Sequence, residues 1–252
     1  MSELWQNVTD NLIFVLEFLG VIALMFAAAV LIQKTADKKR GVKRKIFSTR
    51  MITVVGMFSA IALILHIFDF PLPFLAPEFY KVDFSELPVM IGSFAFGPVA
   101  GVMIEFCKIL LKLITKGTST AFVGDLANFT VGCTLLLPAS AVYEFTKTKK
   151  GALAGCIVGT LTMTCFGTMF NAVYLLPKFV ELYGMPSIDT IIGMGSAINP
   201  AVSNLTTFVC LMVAPLNLLK AGVVSLITMV IYKPLSPILK EGRIAEHKVG
   251  RA

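Results

Sequence analysis

Two long apolar runs, residues 12 to 32 and residues 201 to 232, constrain this chain more than any other feature. A bilayer's hydrocarbon core is about 30 Å thick, and at about 1.5 Å per residue roughly 20 helical residues cross it. The first run fits one crossing. The second is 32 residues, about 48 Å as a straight helix, and overshoots the core. It is expected to break at Pro215, leaving a short outer helix before the proline and a span from 216 to about 236 after it.

The composition agrees with a membrane solvent: 56% of the 252 residues are hydrophobic and 15% charged, outside the range of soluble domains. A net charge of +7 could suggest nucleic acid. The basic residues, however, bunch beside apolar segments instead of covering a folded surface, so no nucleic-acid partner is expected. Lys34, Lys38, Lys39, Arg40, Lys43, Arg44, Lys45 and Arg50 stand against Asp37 alone, and two further clusters follow at Lys147, Lys149 and Lys150 and at Lys240, Arg243, Lys248 and Arg251. Clusters of this kind face the cytoplasm. Glu3 and Asp10 precede the first run, where a signal peptide would carry a basic segment, so residues 12 to 32 read as an anchor with its N-terminus outside. Seven crossings, N-terminus out and C-terminus in, satisfy all three clusters.

Between these landmarks the punctuation is local. Asp69-Phe70-Pro71-Leu72-Pro73 opens an outer connection to Val82 that cannot be helical, and Asp83 or Ser85 can cap the next helix. Residues 85 to 97 form a short apolar helix that turns at Gly97-Pro98. The helix of about 98 to 115 carries Glu105, Lys108 and Lys112 along one face, an arrangement equally open to an internal ion pair and to a transport role. Gly124, Asp125 and Asn128 stand at the outer start of the span of about 121 to 145, where capping and interhelical bonding explain them equally well. Gly151, Gly155 and Gly159 form a close-packing stripe, and Gly56 with Ala60 a small-xxx-small pair. The five cysteines, Cys107, Cys133, Cys156, Cys165 and Cys210, lack metal-like spacing and read as small hydrophobes.

Polar groups inside apolar sequence mark sites by default. Asn217 and Lys220, three apart after Pro215, share a helix face, and an ammonium there must face the bundle interior or a wet cavity. With Asp125, Asn128, Asn171 and the 69 to 84 loop they converge on the outer end. A single pocket open to the exterior is expected there, with few charges in its wall, suited to a neutral or weakly charged ligand. An interhelical clamp is the alternative. The chain has no phosphate-binding Gly-x-x-x-x-Gly-Lys-Ser/Thr loop, and its two histidines, His66 and His247, do not assemble a Ser-His or His-metal protease. No enzyme activity and no metal site are expected. A binding subunit worked by partners remains.

Lys81-Val82-Asp83-Phe84-Ser85-Glu86-Leu87-Pro88, Phe96-Gly97-Pro98-Val99-Ala100-Gly101, Gly117-Thr118-Ser119-Thr120 through Gly124-Asp125-Leu126-Ala127-Asn128-Phe129, and Ala214-Pro215-Leu216-Asn217-Leu218-Leu219-Lys220 resemble the riboflavin-specific substrate-binding (S) component of energy-coupling factor (ECF) transporters, from about residue 50 to 240. The resemblance implies an all-α integral membrane protein of the bacterial plasma membrane, a six-helix S-component core preceded by one extra N-terminal transmembrane helix. It divides the chain into residues 1–45, anchor and basic cytoplasmic linker; 46–240, S-component membrane domain; and 241–252, cytoplasmic tail. It further implies riboflavin as transported ligand, no cofactor, and a membrane coupling (T) component with two ATPase subunits as partners. By motif position Asn171, Asn217 and Lys220 would bind the flavin edge, with Asp83, Gly124, Asp125 and Asn128 nearby. The family usually has Glu where Asp125 stands. Gly56 and Ala60 resemble the pair that docks on the T component. An S component for FMN or another vitamin, with Lys81 or Lys116 meeting a phosphate, and an assembly subunit without ligand are the alternatives.

Overall fold

The computed structural model describes residues 12–42, 44, 47–118 and 120–249, with the backbone alone for 12–15, 233 and 235–249. Glu3, Asp10, Lys43, Lys45 and Arg251 lie outside the described residues. The chain is a helical bundle: α1 (Leu12–Arg40), α2 (Thr49–Ile67), a two-stranded hairpin (β1, Phe70–Pro71; β2, Lys81–Val82), α3 (Glu86–Phe96), α4 (Pro98–Lys116), α5 (Val123–Thr146) and α6 (Lys149–Phe170). A π turn (Asn171–Leu175) leads into α7 (Leu176–Leu182), followed by α8 (Asp189–Ile198) and α9 (Leu205–Phe208); a second π turn (Val209–Val213) opens α10 (Ala214–Val249).

Among the described residues five segments are long and apolar enough to cross a membrane: Leu16–Arg40, Thr49–Ile67, Val123–Thr146, Lys149–Leu182 and Leu205–Tyr232. The other two expected helices, α3 and α4, are present but differ in kind. α3 has 11 residues, about 16 Å of helix, too short to span. All of it except Leu87 is buried, so it is a central half-helix wrapped by the others. α4 has the length but carries Glu105, Lys108, Lys112 and Lys116. The turn between them rests on Gly97 at φ +103°, open to glycine alone at low cost, and on Pro98, whose missing N–H is harmless at a helix start.

The expected break at Pro215 does not occur. Two of the long segments instead take up a proline through a wider turn: the Leu176 N–H bonds the Asn171 carbonyl before Pro177, and the Ala214 N–H bonds the Val209 carbonyl before Pro215. A proline cannot donate to the carbonyl four residues back and crowds it, and an i→i−5 turn relieves the conflict without ending the helix. The glycine stripe behaves as its spacing predicts. A Cβ on Gly155 would lie 2.5 Å from the Ala139 carbonyl oxygen, and one on Gly159 equally close to that of Leu135, so α5 and α6 pack backbone to backbone.

The main apolar core lies among α1 to α6 and α10 and includes Phe94, Phe129, Ile104 and Leu136. A second cluster caps one end of the bundle, where Ala76 and Val82 of the strap (residues 68–85) pack with Leu176, Ile191, Phe208 and Leu216.

Candidate functional site

Beneath the strap three helices bring ionised side chains together. Lys220 of α10 donates to Asp83 Oδ2 at 3.2 Å and to Glu86 Oε1 at 3.0 Å. Lys108 of α4, fully buried, donates to Ser85 Oγ at 3.0 Å and Asn128 Oδ1 at 2.9 Å, and pairs with Glu105 at 2.6 Å. His66, at the end of α2, places Nδ1 3.3 Å from Asp83 Oδ2. One turn further out, Lys112 pairs with Asp125 at 2.7 Å. The four-residue step on α4 and the three-residue step on α5 therefore meet rung by rung.

The strap is tied into this cluster. Asp83 Oδ1 accepts the Ser85 N–H at 2.8 Å, so Asp83 stabilises the entry to α3 while the Ser85 hydroxyl, also expected as a cap, is taken by Lys108. Burial alone would raise the Asp83 carboxyl, but Lys220, His66 and Lys108 outweigh it and hold it well below the ordinary carboxylate range. Tyr80 donates to Asn171 Oδ1 at 2.7 Å, and burial pushes its phenol far up, so it remains a donor. The Asn171 amide in turn donates to the Gly167 carbonyl at 2.7 Å.

The sequence-predicted residues thus converge. Asn171 and Asn217 meet around Gly167, where an ideal Cβ would come within 2.8 Å of Asn217 Nδ2. Lys220 and Asp83 form one ion pair, and Asn128 joins them through Lys108. Asp125 occupies the next rung. Gly124 lies in the first turn of α5, its N–H donated to Thr120 Oγ1 at 3.0 Å. Gly56 and Ala60 stand apart on α2, both exposed, with nothing within 4 Å of a Cβ at Gly56.

Two expectations are corrected. The wall is rich in charge, with three carboxylates and two ammonium groups, because an ammonium in hydrocarbon is held only by counter-charges. The strap end is closed, because Asn171, Asp83 and Asp125 are buried under a strap that bonds to α4, α10 and the first π turn. Sequence reasoning missed Glu86, His66 and Tyr80. For Glu86 the signal was indirect: Lys220 demanded a counter-charge, without showing which carboxylate supplies it.

Saturation is incomplete in an informative way. Asn217 Nδ2, Glu86 Oε2 and Asp125 Oδ2 are buried without a hydrogen-bond partner, which is costly unless something else completes them.

Residues 50–232 match the family model for the ECF transporter substrate-specific component. The riboflavin transporter FmnP of Bacillus subtilis (strain 168) is 30% identical over 197 residues, 78% of this chain and 97% of that protein. The riboflavin transporter RibU of Staphylococcus aureus (strain TCH60) is 36% identical over 192 residues, 76% of this chain and 92% of that protein. A solved structure described as the S component of a bacterial ECF transporter superposes with a TM-score of 0.59 at 31% identity, covering 75% of this chain and 97% of its own. This multi-pass helical bundle, matched along nearly the whole length of such proteins, belongs to the family of substrate-specific components of ECF transporters.

Proposed function

We propose that the chain binds riboflavin beneath the strap and, assembled with a T component and two ATPase subunits, carries it into the cell. The observation that carries this reading is the buried, unpartnered Asn217 amide nitrogen, three residues before Lys220, whose ion-pair partner Glu86 also keeps one oxygen unpartnered. The pyrimidine edge of a flavin presents two carbonyls flanking an N–H, which calls for donors from amide and ammonium groups and one acceptor between them. Asn171, Asn217 and Lys220 are the assigned contacts, with Asp83, Gly124, Asp125 and Asn128 behind or beside them. The names of the relatives point to the same cargo. Riboflavin over FMN follows from charge: Asp83 and Glu86 face the site, and Lys81 is already engaged by Asp69 at 3.2 Å, so a phosphate would meet carboxylates.

Gly56 and Ala60 are assigned to the T component. With no side chain of this chain against Gly56, a partner helix can approach the α2 backbone closely. The domain division places the S component at residues 46–240, between an N-terminal segment (1–45) and a cytoplasmic tail (241–252); the α10 backbone stays helical across that last boundary to Val249. Purified protein titrated with riboflavin is expected to quench the flavin fluorescence at one ligand per chain, with FMN a weak competitor. Absence of quenching refutes the riboflavin reading, and FMN binding equal to riboflavin refutes the charge argument.

A further inference from the structure

The N-terminal helix lies outside the span of the family match, which begins at residue 50, and by sequence it is only an anchor. Its packing says more. Phe18, Ala29, Gln33 and Ala36 are buried, with Ile22 and Met25 packed between them on the same stripe, whereas Leu16, Leu19, Leu24 and Leu31 are exposed. Steps of three and four residues from Phe18 to Ala36 make a continuous contact line about 27 Å long, the depth of a membrane. Phe18 meets Phe129 of α5 and Phe26 meets Phe106 of α4, with ring centroids 6.2 and 5.9 Å apart.

The polar contacts at its inner end complete groups that the core leaves open. α4 begins Gly97-Pro98, with no side chain to cap it and no N–H on the proline; Gln33 Oε1 accepts the Val99 N–H at 3.4 Å, standing where a Cβ at position 97 would collide. Glu144 of α5, fully buried, takes Arg40 at 3.1 Å and Arg44 at 2.8 Å from the N-terminal segment, besides Lys147 at 2.6 Å. An anchor needs none of this.

We infer that α1 is an intramolecular brace: a permanently docked helix that caps α4 through Gln33, neutralises Glu144 through Arg40 and Arg44, and moves with the core as one body. Because it covers the exposed side of α4 and α5, partner helices meet this protein through the α2 side. The test uses the full chain with its five cysteines replaced by serine and new pairs F26C/F106C or, as control, L24C/F106C, treated in native membranes with a short bis-thiosulfonate reagent. Cleavage at a protease site inserted in the linker then shows whether α1 stays attached on a denaturing gel. The brace predicts at least about tenfold more bridging for the first pair, and cellular uptake unchanged when that bridge is closed. Equal bridging of the two pairs, or uptake lost on bridging and regained on reduction, overturns it.

Discussion

The two ends of the bundle each bury a carboxylate among cations, and they differ in whether the bonding closes. At the end that carries the basic linker both Glu144 oxygens are taken, Oε1 by Lys147 and Arg44, Oε2 by Arg40 and Arg44. Nearby, Tyr232 donates to the Phe94 carbonyl at 3.1 Å and sits 3.2 Å from the Tyr143 hydroxyl. At the strap end Lys220 and Lys108 are shared among three carboxylates, and Glu86, Asp125 and Asn217 each keep an atom without a partner. A network that closes on itself holds the fold; one that stays open, at a cost to stability, is kept for something that arrives.

The largest effects come from emptying either network. Lys220→Ala leaves Asp83 and Glu86 buried without their main cation, a loss of about 3 to 5 kcal/mol when a buried pair is broken from one side. Both the unfolding midpoint in detergent and riboflavin affinity are expected to fall. Glu144→Ala is milder, about 2 to 3 kcal/mol, because Arg40 is 31% exposed and water takes up part of the loss. It should lower the midpoint and leave affinity within twofold. If Glu144→Ala weakens binding as strongly as Lys220→Ala does, the division of labour between the ends is wrong.

How far the sequence discloses this contrast depends on the range of the interaction. The α4 and α5 rungs, the Gly97-Pro98 turn and the backbone contacts at Gly155 and Gly159 follow from spacings within one or two helices, and all were legible. The partners of Lys220 were not, because Asp83 and Glu86 lie 137 and 134 residues away, so only the demand for a counter-charge could be read. The fate of the prolines was hidden for another reason: a π turn and a chain break both relieve the same missing N–H, and tertiary packing chooses between them. The N-terminal helix looks uniformly apolar, and its docked face emerges only against α4 and α5.

Asn217→Ala separates binding from folding most cleanly. The amide donor is already unpartnered, so removing it should cost the free protein little and could even relieve a buried polar group. Riboflavin would lose a hydrogen bond in a dry site, about 1 to 3 kcal/mol, a drop of roughly 5- to 150-fold in affinity. An unchanged Kd removes Asn217 from the site, and a lowered unfolding midpoint without ligand makes it a structural clamp.

The smallest expected effect probes the strap itself. Tyr80→Phe removes one hydrogen bond, Tyr80 to Asn171, and keeps the ring, which stacks 4.6 Å from Phe79 and 6.4 Å from Phe208. A neutral hydrogen bond contributes about 1 kcal/mol net, so the apolar cap should hold and the closed strap should merely open more often, by roughly fivefold. With riboflavin bound beneath the strap as proposed, that change belongs in the dissociation rate measured by flavin chase, with association nearly unaltered. The counterpart at the opposite end, Tyr232→Phe, removes a hydroxyl that bonds the Phe94 carbonyl at 3.1 Å and meets Tyr143 at 3.2 Å, in a network assigned no ligand. It should shift the unfolding midpoint by a similar energy and leave the chase rate alone, and a faster chase in both variants would mean that the two ends open together.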